Sequence, residues 1–489
     1  MTPETQHHPS PCSTLESLPY DILHIIITYL PNAHSLASLS ATSRTVHRFC
    51  TTEGWRIFLT THFPSLYPLL NSGYNDPHNA AACLGYAKRL TLLSRNHHRR
   101  SFSAHRLPTV SSPNTSRRRR RASNAQTLGF RPALATSDEG LFIAAGPDLV
   151  FHHTQPGHSF RSQRYGCPGH DDILSTALLP TGALIGQANG KLSHIHTPSS
   201  RITRTYETSH RSVRSLSVSP DLTTFSAALS GKTSSIRLYS TSPSSTGYTD
   251  LDLPTTIPLW TTTFLTPRTL LTATTSTTPI RIFDLTHNVQ TRQIKSSPPS
   301  ASTCVFSLSA IPASTSTFLA GWYSGATKLH DLRTPTDHVL TLSDPLDIGS
   351  AVYSLLPIDA HRVLVGTARH TRVKSFDLRM PKLGWGMFLP SSSGERKSGA
   401  VYSLAQIGVG GGNVFAGVEG AVWRLDFSQG VWRERGERGE AVAMYDWGRE
   451  KGVRVWTLRG KGEEGEEEGD VDKRWKRVDA ERGRGEVRR

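Results

Sequence analysis

Cysteine is scarce in this chain. Cys12, Cys50, Cys83, Cys167 and Cys304 are the five in 489 residues, and none stands in a C-x-x-C pair. That spacing excludes a zinc ribbon or a disulfide framework as the organising device, and scattered thiols fit a reducing compartment. The Asn114-Thr115-Ser116 sequon then carries no meaning. Long apolar runs are missing too. The longest, Ile22 to Leu30, is interrupted by His24, Thr28 and Tyr29, and crossing a bilayer takes roughly 18 apolar residues. Met1 to Pro11 shows neither the basic start nor the apolar stretch of a secretory leader. The expectation is a protein of the cytoplasm, the nucleus or both, with no membrane partner. Apolar residues make up only 36%, so some segments are expected to stay unpacked.

Acidic residues are missing locally. From Pro77 to Ser137 there is no Asp or Glu but there are twelve Lys and Arg, including the run Arg117 to Arg121. This stretch supplies most of the net charge of +16. Such a run reads equally well as a nuclear import signal and as a solubilising linker. It lacks interleaved aromatics, so nucleic acid is not an expected partner; a phosphate-bound propeller is the weakest of the readings. Catalytic motifs are also missing. Gly231-Lys232-Thr233 ends like a P-loop, but Ser226 stands where the upstream glycine is required. Gly408 to Gly412 is a glycine-rich turn with no helix after it, and none of the 22 histidines sits in an H-E-x-x-H. No enzyme, metal or cofactor is expected.

Against these absences, the chain divides. Residues 1–14 read as a disordered N-terminus and 15–70 as a helical module. Residues 71–127 read as a helical extension and a basic disordered linker, Ser- and Arg-rich from about 88. Residues 128–458 read as many short strands. Residues 459–489, with ten basic and ten acidic side chains, read as a charged disordered tail.

The helical module starts at Leu18-Pro19, where a proline without an N–H is tolerated, and Asp21 follows where the helix dipole favours a carboxylate. Ile22, Leu23, Ile26, Ile27 and Leu30 form one broad apolar face, and Pro31-Asn32 ends that helix and starts the next. Leu36, Leu39, Val46 and Phe49, then Trp55, Phe58 and Leu59, mark further short helices. Helices this short bury too little surface to stand alone and need something to pack against.

The strand region repeats itself. Lys191–His196, Ser235–Tyr239, Ile280–Asp284, Thr327–Asp331, Arg372–Asp377 and Ala421–Asp426 are copies of one alternating strand, with a poorer copy at Asp148–His152; most are spaced by 43 to 49 residues. About 20 residues before most copies lies another strand: Ser212-Val-Arg-Ser-Leu, Cys304-Val-Phe-Ser-Leu, Ala351-Val-Tyr-Ser-Leu, Ala400-Val-Tyr-Ser-Leu. Phe318–Trp322 and Val363–Thr367 represent a third strand between the two. A period in the forties with alternation inside each strand indicates a β-propeller.

Two resemblances now emerge. Leu18-Pro-Tyr-Asp-Ile-Leu through Leu30, then Leu36-Ala-Ser-Leu39, Ser43-Arg44 and Trp55, resembles the F-box. The strand region resembles WD repeats in degenerate form: Phe283-Asp284, His330-Asp331, Phe376-Asp377 and Leu425-Asp426 replace the Trp-Asp dipeptide, and only Gly169-His170 matches the Gly-His element, with Ser209-His210 a weaker version. The fold class expected is therefore mixed: a small all-α F-box module, then an all-β propeller of seven blades, or eight if residues 441–458 begin another rather than close the ring. The resemblance implies a substrate-recruiting subunit of a cullin-RING ubiquitin ligase. By resemblance, Leu18, Pro19, Ile22, Leu23, Ile26, Leu30, Leu36 and Leu39 form or support the contact with the Skp adaptor, itself carried by a cullin scaffold. The propeller would hold a protein substrate that no loop motif identifies. Arg333, Arg369, Arg372 and Arg379 are read as solvated rather than as a phosphate reader. The alternative is a propeller scaffold with no role in ubiquitination. The family's buried His, Ser/Thr, Trp and Asp network is expected to be absent from most blades, with apolar packing in its place.

Overall fold

The computed structural model describes residues 15–70, 80–107, 131–153, 162–165, 171–231, 234–242, 244–245, 247–251, 253–254, 257–296, 303–389, 399–428, 442–447 and 455–458. The arginine run, Gly169-His170, residues 1–14 and the charged tail lie outside these.

Among the described residues, six α-helices come first: α1 (Tyr20–Tyr29), α2 (Ala33–Ser40), α3 (Arg44–Phe49), α4 (Trp55–His62), α5 (Tyr67–Leu70) and α6 (Ala80–Arg99). Their ends are written in the sequence. Pro19 sits at the N-cap of α1 with φ −57°. The Asn32 side chain accepts from the Ser35 N–H at 3.0 Å and starts α2; the Ser43 hydroxyl accepts from the Val46 N–H at 3.2 Å and starts α3. Leu23, Ile27, Leu36, Val46, Phe49, Trp55, Phe58 and Leu59 form the centre of the module. That centre is continuous with Cys83, Ala87, Leu90 and Leu93 of α6 and with Ile358, Trp385, Leu389 and Phe427 of the sheet domain. The helical module thus finds in the sheet domain the support its small size demands.

After α6, the strands among the described residues form seven antiparallel units of four, two of them joined in one eight-stranded sheet and another extended by two further strands. Their first, innermost strands are Ala133–Thr136, Ile173–Leu179, Ser212–Val218, Leu259–Thr266, Thr303–Ala310, Val352–Pro357 and Val401–Ile407. Each packs on the next, and the last packs on the first, closing a ring about an axis. We number these blades 1 to 7.

The repeat has a physical basis that runs through four blades. The innermost strand carries a β-bulge near its start, and a serine follows it: Ser175, Ser307, Ser354 and Ser403. Each hydroxyl donates to a carbonyl of the next blade: Val213, Val352 and Val401 at 3.2 Å each, and Pro132 of blade 1 at 2.6 Å. Gly186, Gly321, Gly366 and Gly417 face these serines from the second strand, and a Cβ at any of them would collide with the serine oxygen and with the next blade's Val or Pro. Blade 3 uses a variant, in which Ser215 Oγ meets Thr261 Oγ1 of blade 4 at 3.0 Å. The blades are therefore joined by hydroxyl-to-carbonyl bonds as well as by the expected apolar packing.

Two boundaries differ from the expectation. The basic segment beginning near residue 88 is not all linker. α6 runs to Arg99, and Ser103–Arg106 pairs with Ala421–Asp426 as the outermost strand of blade 7. A strand preceding blade 1 thus completes the last blade. Residues 441–458 neither close the ring nor begin an eighth blade. Val442–Trp447 pairs with Gly384–Phe388 at the edge of blade 6, and Val455–Leu458 pairs with it in turn. Glycine makes this possible: Gly384 lies opposite Trp447 and Gly386 opposite Tyr445, and a Cβ at either would strike the ring. The Tyr445 hydroxyl donates to Asp344 at 2.7 Å, and buried Lys374 lies 3.2 Å from Asp344 and 3.0 Å from Asp347.

Candidate functional site

The eight residues expected to meet an adaptor separate into two groups. Leu23 and Leu36 are 1% and 0% exposed. They form the module's own core, and any contribution to a partner is through shape. Pro19 and Ile22 are exposed, while Leu18, Ile26, Leu30 and Leu39 are half-buried against the core. The outward face also includes side chains the sequence reading passed over. Ile25, at 52%, and Tyr29, at 82%, join Ile22 at i, i+3 and i+7. Tyr20 is 60% exposed and stacks on Phe49 at 5.0 Å. α1 therefore presents an apolar stripe on a module whose core is already filled. Four of the thirteen large apolar side chains exposed among the described residues sit on these ten residues, a concentration that marks a contact surface.

Residues 15–57 match the F-box domain family. The chain carries an F-box. Among solved structures, the F-box chain is similar to the WD40 β-propeller domain of Doa1, with TM-score 0.49 and 13% identity over 62% of this chain and 94% of that one. It is also similar to U3-55K, with TM-score 0.49 and 12% identity over 66% and 98%. No curated protein sequence matches.

A second surface opposes the F-box in kind. The bulged residues of the innermost strands lie at one end of the axis, where those strands begin. They are Leu174, Arg214, Trp260, Phe306, Tyr353 and Tyr402 in blades 2 to 7. Most touch in sequence from one blade to the next. Arg214 lies 5.6 Å over Trp260, Trp260 meets Phe306 at 4.9 Å, Phe306 meets Tyr353 at 5.0 Å and Tyr353 meets Tyr402 at 5.9 Å. Arg131, entering blade 1, covers Tyr402 at 5.3 Å. A bulge leaves its residue out of the ladder and turns it aside, and here these large side chains meet across the blade junctions. Burial pushes the Tyr402 phenol up from its usual range, so it stays neutral. The sequence signal was present in the V-x-S-L copies, but strict alternation hid it, because a bulge shifts which residues share a face.

The four arginines set aside as solvated do not converge. Arg333 and Arg379 are exposed and paired with Asp331 and Asp377 at 2.7 and 2.6 Å. Arg369 is exposed. Arg372 is buried, 3.2 Å from Asp347 and 4.5 Å over the Phe388 ring. Among the described residues no cluster of His, Cys, Asp and Glu could hold a metal, and no helix is long and apolar enough to cross a membrane.

Proposed function

We propose that this chain is a substrate-recruiting subunit of a cullin-RING ubiquitin ligase, docking on the Skp adaptor through its F-box and holding a protein substrate on its propeller. The single observation that carries this reading is the exposed apolar stripe of α1 inside the matched F-box segment. Burying such side chains against a partner's groove contributes about 1.5–3 kcal/mol each. The run of side chains from Arg214 to Tyr402 supports the second half. Aromatic and arginine side chains on a rigid ring are the residue types that dominate protein interfaces. The continuous core from α1 to blade 7 holds the two surfaces in a fixed relation, which suits a subunit that must present one protein to another. On this reading the chain performs no chemistry of its own.

Affinity purification of the full chain and of a Tyr353→Ala, Tyr402→Ala variant tests it. Skp adaptor and cullin are expected with both, and at least one further protein only with the unmodified chain. Stable partners without adaptor or cullin would replace the reading with a propeller scaffold. An unchanged partner set in the variant would remove this run of side chains from it.

A further inference from the structure

Two independent observations meet at the end of the ring where the innermost strands begin. The first is charge. The run Arg131, Tyr402, Tyr353, Phe306, Trp260, Arg214 ends in an arginine on each side. Both arginines are exposed, and among the described residues no carboxylate pairs with either. Arg214 Nε donates to the Ser230 hydroxyl at 2.9 Å, which leaves its charge uncompensated. Across blades 4 to 6, the described links at this end expose Lys295 and Arg369 and no carboxylate, since Asp344 and Asp347 are buried against Lys374 and Arg372. Glu419 of blade 7 is half-buried near Tyr402. The exposed acids of the other described links at this end, Asp171, Asp172 and Glu207, lie between blades 1, 2 and 3. Blades 4 to 6 thus offer uncompensated cations beside aromatic faces, which suits an acidic segment.

The second observation is the direction of the chain. Register carries one level across blade 6: Val352 lies opposite Thr367, Arg372 opposite Phe388, Phe388 opposite Ala443, and Ala443 opposite Thr457. Thr457 and Leu458 therefore leave the sheet at the same end as Tyr353 and Arg369. Five strand spacings separate Thr457 from Val352, about 24 Å. The sequence that follows is Arg459-Gly-Lys-Gly462, then Glu463, Glu464, Glu466, Glu467, Glu468 and Asp470. Five extended residues carry the chain from Leu458 to Glu463, up to about 17 Å, and ten reach about 35 Å. The contacts from Arg131 to Arg214 measure between 4.9 and 5.9 Å each. The whole run is thus no longer than about 30 Å, which eight extended residues match.

We propose that residues 463–470 of this chain occupy this face, their carboxylates set against Arg369, Arg131 and Arg214. The proposal rests on the reading of the face as the substrate surface and adds its regulation: a substrate must displace the chain's own acidic segment. The short tether from Leu458 sets an effective concentration of roughly millimolar, so contacts of modest strength suffice. Pairs between exposed charges are screened by salt, and the segment is released as ionic strength rises.

Fluorescence anisotropy with the labelled peptide Gly-Glu-Glu-Gly-Glu-Glu-Glu-Gly-Asp, the sequence of residues 462–470, tests this. It is added to the full chain and to a full chain with Glu463, Glu464, Glu466, Glu467 and Glu468 changed to Gln and Asp470 to Asn. The neutral-tail chain is expected to bind at least tenfold more tightly than the unmodified chain, whose own segment already fills the face. Adding Arg131→Gln, Arg214→Gln and Arg369→Gln to the neutral-tail chain is expected to lower its affinity at least tenfold. All three arginines are exposed, circular dichroism checks the fold, and Arg369→Gln alone gives a milder variant with at least a threefold loss. Equal affinity of the unmodified and neutral-tail chains overturns the proposal. So does absence of binding by the neutral-tail chain, and so does binding that survives the three changes. Adaptor and cullin are absent from this experiment, so its failure leaves the ubiquitin ligase reading standing. Conversely, peptide binding as expected beside an unchanged partner set in the Tyr353→Ala, Tyr402→Ala variant would remove only the substrate reading of the face.

Discussion

A serine hydroxyl at each of four blade junctions shows how a degenerate repeat holds its shape. Ser403 Oγ donates to the Pro132 carbonyl across the ring closure, and Gly417 stands opposite with no room for a side chain. Removing the hydroxyl forfeits one hydrogen bond, about 1 kcal/mol. Adding a methyl forces packed groups apart and costs about 1–3 kcal/mol. Urea unfolding should therefore place Gly417→Ala below Ser403→Ala in stability; the reverse order would mean that the glycine is not there for space. Half of this pattern was legible. The copies of V-x-S-L stood out as strands with a common serine. The glycines in Ala320-Gly321-Trp322 and Val365-Gly366-Thr367 carry no such mark in the sequence, because nothing in one strand tells which residue of the next blade crosses it. The same limit applied to the F-box. The apolar face of α1 was readable, but Leu23 and Ile22 are neighbours in sequence and opposite in exposure. Only the packing of α3 and α4 decides which of them faces outward.

At the level of elements, the second half of α6 is the piece that composition concealed. Its basic residues from about 88 and the absence of acid drew it into the linker, although Cys83, Ala87, Leu90 and Leu93 keep helical spacing and are all buried. The turn Gly408 to Gly412 is its seat. Gly410 and Gly411 adopt φ of +84° and +67°, and Leu90 and His97 come close above them. At this seat Asn96 Nδ2 donates to the Phe427 carbonyl at 2.7 Å, His97 Nε2 bonds the Gly411 carbonyl at 3.1 Å, and the His97 ring stacks on Phe427 at 3.9 Å. Burial, helped by the Arg362 guanidinium, lowers the His97 imidazole to about 3. An unfolded histidine titrates near 6.5. Between these values the unfolded chain takes up a proton that the folded one refuses. The contribution is thus intact above pH 6.5 and is lost as the pH falls toward 3, by about 2 kcal/mol at pH 5. Urea midpoints at pH 7 and pH 5 should show this loss in the native chain and a smaller one in His97→Gln. An identical pH dependence in the two would contradict a buried neutral ring at this seat.

For the whole molecule, the helices and blades 6 and 7 share one apolar core. The F-box is not strung on a tether. It is seated on blades 6 and 7 through α6, and the strand that follows α6 completes blade 7. The strand Val442–Trp447, added to blade 6, brings Trp447 to a cleft beside the F-box. Long-range pairings of this kind join residues more than 300 positions apart, such as Ser103 with Asp426, and local periodicity does not carry such information. The account gives the protein one function only if the face of α1 is a docking surface. Isothermal titration of purified Skp adaptor into the full chain, and into Pro19→Ala with Ile22→Asp, measures that most directly. Both residues are exposed, so the fold should survive, with an unchanged unfolding midpoint. The account predicts tight binding by the native chain and a loss of at least 100-fold in the variant. Native-strength binding by a folded variant, or no binding by the native chain, would contradict it.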